Sequence, residues 1–348
     1  MIKRKHKGMP KKNVLVIGGG VAGLAAALEL AEQEIGVDLI EKSEFLGGHA
    51  ARFSCKASGE CVKCGACIVV EKLKKSFLNP NIRIHTGCKI KKFENNGIIK
   101  TRVDKESSEI SFESDAAIIA SGFKPFNPVN KPFGYKRFNN VITNIDLEEM
   151  LKLEDDVVRP SDKRFPKSIA FIQCVGSRDE SLNHLWCSHV CCGSALRVAK
   201  KIKSIKPETE ITFFYIDVQT FGKDFQEFYD SMKQEIRMVR SIPGDILISD
   251  NDCPQITFFD SEKNCSIDEI FEMVVLSIGL TPGEDNKNLS ELMDIKLDDS
   301  GFFKSGENSS TGIFTAGTSR GPMSIEDAIL DGGRAALEAI KYIDRKDL

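Results

Sequence analysis

The chain of 348 residues lacks the features that would direct it to a membrane or to nucleic acid. No uncharged apolar run reaches the roughly 20 residues that a membrane-spanning helix needs, so we predict no transmembrane segment. The formal net charge is −3, and the basic residues between Lys3 and Lys12 are typical of a solvated tail. No signal-peptide pattern accompanies that tail. We therefore expect a cytoplasmic protein without a nucleic-acid partner.

Cysteine, in contrast, is abundant, with 11 residues in the chain. A reducing compartment disfavours disulfides, so cysteines in this number indicate metal or redox chemistry. Eight of them form two compact groups: Cys55, Cys61, Cys64 and Cys67, and then Cys174, Cys187, Cys191 and Cys192. The other three have no partner at ligand spacing, and we predict structural roles for Cys88, Cys253 and Cys265.

A glycine-rich motif follows the first predicted strand, Asn13–Ile17. Its pattern is G-x-G-x-x-G, formed by Gly18, Gly20 and Gly23, and it leads into a predicted helix at residues 24–33. Gly18 allows a tight turn, Gly20 lets the backbone approach a pyrophosphate, and Gly23 lets the helix pack on the strand. The helix N-terminus offers free N–H groups to phosphates. This combination predicts a dinucleotide site.

The residues after the next predicted strand, 37–40, favour FAD as that dinucleotide. Glu41 ends the strand, and its carboxylate can bind a ribose hydroxyl. Glu41-Lys42 and the following Gly47-Gly48-His49 resemble the E-(x)n-GG element of the two-dinucleotide-binding-domain flavoproteins. In that family the paired glycines let the chain pass close to the FAD.

Later segments resemble the same flavoproteins. Residues 81–90 resemble the strand pair at the adenine, residues 115–122 an apolar strand ending in A-T-G, and residues 311–318 a G-I-F-A-A-G-D element. Thr318 stands where that element has Asp, which leaves its contact with the ribityl and pyrophosphate region open. A last predicted helix, 324–343, directs its N-terminus at the flavin. The residues predicted to bind FAD are Gly18, Gly20, Val21, Ala22, Gly23, Glu41, Lys42, Gly47, Gly48, His49, Ile90, Ala120, Ser121, Gly122, Gly317, Thr318, Ser324, Ile325 and Ala328.

A second Rossmann-like domain is predicted to interrupt this FAD domain. Its first strand is predicted at 168–172 and its second at 211–215, while 273–279 is interpreted as the return to the FAD half. The turn after the first strand keeps Gly176 alone and adds Asp179 and Glu180, which would repel a pyrophosphate. We therefore expect no NAD(P)H there. The predicted fold is an α/β two-dinucleotide-binding-domain flavoprotein with an FAD domain at 1–165 and 271–348 and an insertion at 166–270.

The first cysteine group predicts a metal centre on a short loop. The spacing C-x2-C-x2-C over Cys61, Cys64 and Cys67 lets three thiolates converge on one [4Fe–4S] cluster, with Cys55 as the fourth ligand. A zinc site with the same four thiolates is the main alternative. A redox-active dithiol of the C-x2-C type is another.

The second cysteine group has a less regular spacing. On a helix, Cys187 and Cys191 would lie one turn apart and could face one metal. Cys192 would point about 100° away, which makes it a strained ligand unless the helix starts there. We favour a distorted [4Fe–4S] site, and the alternative is a set of buried small hydrophobic side chains.

Four segments of the chain resemble the A-type subunit of heterodisulfide reductase. They are 171–180, 186–192, 317–322 and 325–328. The resemblance implies that Cys174, Cys187, Cys191 and Cys192 bind an unusual [4Fe–4S] cluster close to the flavin. The length is more similar to the compact forms in bacterial sulfur metabolism, which include the sulfur-oxidising heterodisulfide-reductase-like complex and the quinone-interacting complexes of sulfate reducers. The Cys55–Cys67 group is more similar to the sulfur-oxidising type. The implied partners are B- and C-type subunits and a lipoate-binding protein. A homodimer inside the larger complex is expected because homodimers are common for flavoproteins of this fold.

The resulting hypothesis is an electron-transfer subunit with one FAD and two [4Fe–4S] clusters. No His, Ser or Cys is placed as a general base or acyl nucleophile, so the chemistry would belong to the flavin. The main alternative is a self-sufficient NAD(P)H-dependent disulfide reductase with a Cys61/Cys64 dithiol. A third possibility is a non-redox scaffold that binds zinc.

Overall fold

The structure is a computed structural model that describes residues 12–105, 108–219, 222–304, 306 and 309–346. The basic residues before Lys12, predicted to form a solvated tail, lie outside these ranges. The strands are β1 (Asn13–Ile17), β2 (Gly36–Ile40), β3 (Ile82–His85), β4 (Cys88–Asn95), β5 (Ile99–Lys105), β6 (Ser108–Ser114), β7 (Ala116–Ile119), β8 (Phe123–Pro125), β9 (Val141–Thr143), β10 (Ser168–Val175), β11 (Glu210–Phe214), β12 (Arg237–Val239), β13 (Ile246–Ile248), β14 (Pro254–Asp260), β15 (Cys265–Ile270), β16 (Met273–Ile278), β17 (Leu280–Pro282) and β18 (Ile313–Thr315). The helices are α1 (Val21–Glu32), α2 (Ala66–Leu78), α3 (Asn144–Glu154), α4 (Cys191–Ile205), α5 (Phe225–Glu235), α6 (Asn286–Met293) and α7 (Ile325–Lys346).

The chain divides into two units, and the first contains residues up to Ala51, Gly65–Lys124 and the part from Pro282 onwards. Its centre is a parallel sheet in the order β18-β7-β1-β2-β3. β1 is apolar on both faces, as expected of a central parallel strand. Val14 and Val16 pack against α1 and α7, whereas Leu15 and Ile17 pack against the antiparallel sheet β4-β5-β6.

Most of the elements predicted for this unit are confirmed. β1 and β2 lie where the sequence placed them, and α1 and α7 differ from their predicted ranges by a few residues. The predicted strand pair at 81–90 is instead split between two sheets. β3 is the edge of the parallel sheet, and β4 begins the antiparallel sheet. No helix in the described ranges is long and apolar enough to cross a membrane.

The second unit contains Arg52–Cys64 and Pro125–Thr281. Its parallel sheet has the order β12-β11-β10-β16-β9, and the antiparallel sheet β13-β14-β15 is part of the same unit. The predicted strands at 168–172 and 211–215 are confirmed as β10 and β11.

The observed second unit is larger than the predicted insertion at 166–270. β9 precedes that range, yet it pairs in parallel with β16. β16 was interpreted as the return to the FAD half, and this interpretation is wrong because it lies between β10 and β9. The whole of β16 is buried, which suits a strand covered on both faces.

Candidate cofactor sites

The glycine-rich loop forms the tight turn expected between β1 and α1. Gly18 has a φ of +105°, a conformation that side-chain-bearing residues rarely adopt, and a Cβ there would lie 2.2 Å from the carbonyl oxygen of Ala120. A Cβ on Gly23 would lie 1.9 Å from the carbonyl oxygen of Gly18. Strand, turn and helix therefore pack so closely that both positions require glycine.

Open space remains where a phosphate would bind. A Cβ on Gly20 would meet nothing within 4 Å. Gly20 is the N-cap of α1 and makes no side-chain capping hydrogen bond, and the first turn carries no acidic residue. An uncapped helix N-terminus with free N–H groups suits an anion. The loop therefore fits a dinucleotide pyrophosphate.

The paired glycines Gly47 and Gly48 lie against this loop. The Gly47 N–H donates to the carbonyl oxygen of Gly19 at 2.7 Å. A Cβ on Gly48 would lie 3.2 Å from the Cα of Gly20. His49 lies next to this segment, with its Nε2 3.2 Å from the carbonyl oxygen of Phe123.

Glu41 follows β2, but its carboxylate contacts the glycine loop. Its Oε2 accepts from the Gly19 N–H at 2.7 Å, and its Oε1 accepts from the backbone N–H and the hydroxyl of Ser43, each at 2.9 Å. Lys42, also predicted at the cofactor, forms an ion pair with Asp285 at 2.6 Å. A ribose hydroxyl at Glu41 would therefore share a carboxylate that already holds the loop in place.

The end of β7 also lies against the glycine loop. The Ala120 N–H donates to the carbonyl oxygen of Ile17 at 2.7 Å. The Ser121 hydroxyl donates to Oδ1 of the buried Asn286 at 3.1 Å. A Cβ on Gly122 would again meet nothing within 4 Å, so open space continues along the chain here.

The C-terminal segment reaches the same loop through Gly317. A Cβ on Gly317 would lie 2.5 Å from Cβ of Ala22 in the first turns of α1. The Gly317 N–H donates to the carboxylate of Asp331 at 2.8 Å. Burial raises the pKa of Asp331, but hydrogen bonds from Arg334 and Arg320 lower it more, so it lies below its ordinary value. A charged carboxylate on α7 thus holds the backbone next to Thr318, a contact that no sequence pattern indicated.

Two further residues that were predicted to bind FAD, Ser324 and Ile90, make contacts within the protein chain. Ser324 caps α7, since its hydroxyl accepts from the Asp327 N–H at 3.0 Å and donates to the Asp327 carboxylate at 2.8 Å. Ile90 packs on the core that contains Ile17. The structure thus gathers the two glycine elements, Ser121 and Gly317 around the start of α1, and it gives Ile90 a core position.

The first cysteine group lies on the segment before α2 and on the first turn of that helix. Cys55, Cys61 and Cys64 belong to the second unit and Cys67 to the first. Cys64 is half-buried and the other three are exposed. Gly65, the N-cap of α2, has a left-handed backbone. The assignment of these four thiols to one metal rests on their spacing.

The two residues that flank Cys55 both contact the buried carboxylate of Glu148, which the sequence did not indicate. Lys56 Nζ lies 2.5 Å from Glu148 Oε1, with side chains 4% and 3% exposed. The other carboxylate oxygen accepts from the Ser54 N–H at 3.1 Å and from its hydroxyl at 3.2 Å. This network fastens the start of the cysteine segment to α3.

The second cysteine group begins at a bulge in β10. The pairing of β10 with β16 shifts between Ile172 and Val175. Cys174 sits in this bulge with a φ of 60°. Bulges redirect side chains, and residues in sparsely populated backbone regions cluster at functional sites.

Cys187 is not on a helix, so the prediction that it lies one helical turn from Cys191 is wrong. Helix α4 starts at Cys191, and the backbone N–H of His189 donates to Cys187 Sγ at 3.2 Å. Cys191 and Cys192 therefore both lie in the first turn. This removes the strain expected for Cys192 in mid-helix.

The four thiols of this group are close enough to influence one another. Burial raises the pKa of Cys191, and Cys192, Cys174 and Cys187 raise it further. Burial likewise raises the pKa of Cys192 to about 12, with smaller increases from Cys174 and Cys187. Without a metal these thiols are neutral, and they need not point at one common position. Metal binding requires thiolates and releases the thiol protons. Among the described residues, no three Cys, His, Asp or Glu side chains already have the geometry of a metal site. The donor set fits a thiolate-bound group.

A charged pair borders these thiols. Arg178 donates to both carboxylate oxygens of Asp217, at 2.6 and 3.0 Å. Burial raises the pKa of the Cys174 thiol, and the positive charge of Arg178 reduces this increase. The Cys192 thiol lies 3.9 Å from the carbonyl oxygen of Asp217. A guanidinium held in this way places a fixed positive charge beside the sulfur atoms.

The chain has the α/β two-Rossmann fold of the flavoprotein disulfide reductases, as predicted. Residues 12–172 match the family "Pyridine nucleotide-disulphide oxidoreductase", which supports FAD as the dinucleotide of the first unit. Thioredoxin reductase from Lactococcus lactis has the same fold, with a TM-score of 0.63 at 18% identity over 96% of this chain and 100% of that chain.

The sequence relatives are A-type subunits of heterodisulfide reductases. The A-type component of the "H(2):CoB-CoM heterodisulfide,ferredoxin reductase" of Methanothermobacter thermautotrophicus is 27% identical over 93% of this chain and 63% of that protein. An A-type iron–sulfur component of the "CoB--CoM heterodisulfide reductase" of Methanopyrus kandleri is 28% identical over the same shares. The chain thus spans a little under two thirds of the length of these relatives.

Proposed function

We propose that the chain is an FAD- and [4Fe–4S]-containing electron-transfer subunit of a heterodisulfide-reductase-like complex in sulfur metabolism. The observation that carries this proposal is the group of four thiols at Cys174, Cys187, Cys191 and Cys192. These thiols lie in the second unit, at the turn between β10 and α4. In a Rossmann-like unit that turn is the place of a nucleotide pyrophosphate.

The first unit would hold FAD through the open space at Gly20 and Gly122 and through the uncapped start of α1. Glu41 would face the ribose, and the Gly317–Thr318 backbone, held by Asp331, would face the region beyond the pyrophosphate. FAD would supply two-electron chemistry, and the clusters would supply one-electron transfer. The protein's part is to bind, orient and tune these groups.

The second unit is poorly suited to NAD(P)H. Cys174 lies in the bulge near the carboxyl end of β10, and α4 starts with two buried cysteines, so thiols occupy the place where a phosphate would bind. The self-sufficient reductase with a Cys61/Cys64 dithiol would need an NAD(P)H site in this unit, and these cysteines argue against one. Electrons would come and go through protein partners.

The partners and the subtype are proposed from the resemblance to the compact sulfur-oxidising form. B- and C-type subunits and a lipoate-binding protein are the proposed partners, in a cytoplasmic complex with a homodimer of this chain. The Cys55–Cys67 group is proposed to bind a second [4Fe–4S] cluster.

Anaerobic purification followed by counts of iron, sulfide and flavin tests the proposal. We expect one FAD and about eight iron per chain, four for each cluster. Cys64→Ser and Cys191→Ser should each remove about half of the iron and leave the flavin bound. Cys265→Ser is the control, since Cys265 is exposed at the start of β15.

Three results would decide against parts of the proposal. Zinc instead of iron would favour the non-redox scaffold. Full iron content in Cys191→Ser would remove the second ligand set. Reduction of the flavin by NADH in the isolated chain would favour the self-sufficient reductase.

A further inference from the structure

A carboxamide next to the second cysteine group has an unsatisfied polar atom. Gln173 is 1% exposed and precedes Cys174 in β10. Its Nε2 donates to the hydroxyl of Ser277 at 2.8 Å. Its Oε1 has no hydrogen-bond partner among the residues that the structure describes. Buried polar groups are nearly always paired, so an unpaired one calls for an explanation.

The carboxamide lies on the sheet face that α4 covers. Gln173 and Ser277 follow Phe171 and Val275 by two residues in β10 and β16, so each pair shares a face. Phe171 and Val275 pack with Cys192 in one core. Gln173 therefore lies at the carboxyl ends of the strands, where α4 begins with its two cysteines.

One end of this carboxamide stays unpaired in either orientation. The amide oxygen and nitrogen exchange places when the group is turned over, and the hydrogen-bond network decides which orientation is correct. In the turned orientation, Oε1 accepts from the Ser277 hydroxyl and the NH2 group is left free. The NH2 group is then a free N–H donor on the sheet face that packs against Cys192.

We propose that the NH2 group of Gln173 donates a hydrogen bond to a sulfur atom of a [4Fe–4S] cluster held by Cys174, Cys187, Cys191 and Cys192. This inference rests on the proposed function. A donor stabilises the reduced cluster, which has gained one electron and is more negative, over the oxidised one. It therefore raises the reduction potential.

The test is Gln173→Leu in a Cys64→Ser background, where only the second cluster would remain. The cluster is titrated with dithionite and redox mediators, and the reduced form is followed by electron paramagnetic resonance. We expect unchanged iron and sulfide contents. The midpoint potential of the cluster should be more negative than in the Cys64→Ser protein by about 59 mV, which corresponds to a tenfold lower equilibrium constant for one-electron reduction. Gln226→Leu is the matched control, because Gln226 is exposed on α5 and donates to Asp230 at 3.1 Å.

The possible failures are distinguishable. A Cys64→Ser protein without iron and sulfide would overturn the proposed function itself. A cluster with an unshifted midpoint in Gln173→Leu would overturn only the role of Gln173. If Gln173→Leu loses its cluster, the test is 15N labelling of the glutamine side-chain amides in a Gln219→Leu protein. Gln219 is replaced because it is another glutamine near Cys192, with its side chain donating to Asp217 at 2.7 Å. A 15N coupling to the reduced cluster supports the hydrogen bond, and its absence overturns it.

Discussion

Replacement of Glu148 by Gln should destabilise the second unit far more than the same replacement at Glu149. The Glu148 carboxylate is 3% exposed and pairs with Lys56, itself 4% exposed. Removal of one partner leaves the other as an uncompensated buried charge, which costs about 3–5 kcal/mol. Glu149 is 46% exposed and lies 3.4 Å from an Arg52 that is 63% exposed. An exposed pair of this kind contributes about 0–1 kcal/mol.

The assay is urea unfolding of the protein without cofactors. The chain has a single Trp, Trp186, in the second unit, so its fluorescence reports on that unit even if the two units unfold separately. The double variant Lys56→Met/Glu148→Leu should recover most of the loss, since replacing both charges by apolar side chains is often neutral or better. Equal effects of Glu148→Gln and Glu149→Gln would refute the reasoning.

Two further predictions concern the first unit. Gly23→Ala should lower the melting temperature because its Cβ would lie 1.9 Å from the Gly18 carbonyl oxygen. Gly20→Ala should leave the melting temperature unchanged, since its Cβ would meet nothing within 4 Å, and it should weaken FAD binding in a flavin titration. Equal melting temperatures would contradict the packing argument. The two arginine partners of Asp331 lower the pKa of its carboxyl in the folded protein. The charged carboxylate therefore stabilises the fold above the pKa of the unfolded chain, about 4, and this stabilisation is lost as the pH falls. Thermal unfolding of Asp331→Asn should therefore differ from wild type at pH 7 and converge with it in acid, and Asp327→Asn should not reproduce this convergence.

The glycine-rich loop could be predicted because its requirements are local. The turn at Gly18 and the close packing of Gly23 involve residues that are neighbours in the chain or at the end of an adjacent strand. The strand, turn and helix pattern therefore carried the necessary information. The same holds for β10 and β11 of the second unit.

The bounds of the second unit could not be predicted in this way. β9 and β16 join its sheet through parallel pairing between segments that are far apart in sequence. A short apolar run such as β16 suits a central strand of either sheet, so its composition did not identify the sheet. The interpretation of β16 as a return to the FAD half was wrong for this reason.

The start of α4 also lacked a sequence signal. Its N-cap is Val190, which makes no side-chain capping hydrogen bond. Without a capping residue, the spacing from Cys187 to Cys191 suggested one continuous helix. Only the folded loop, with Cys187 outside the helix, placed Cys191 and Cys192 together in the first turn.

The sequence by itself determined the glycine loop, its helix and the two cysteine groups, because these depend on backbone conformation and spacing over a few residues. The tertiary structure alone decided which side chains surround them. Ser54 and Glu148 are 94 residues apart and Gln173 and Ser277 are 104 apart, yet each pair is hydrogen-bonded. Such pairs leave no periodic pattern in a single sequence, since their proximity arises only when strands and helices pack. Those contacts, at Asp331, Glu148, Arg178 and Gln173, would tune any cofactor that the local motifs bind.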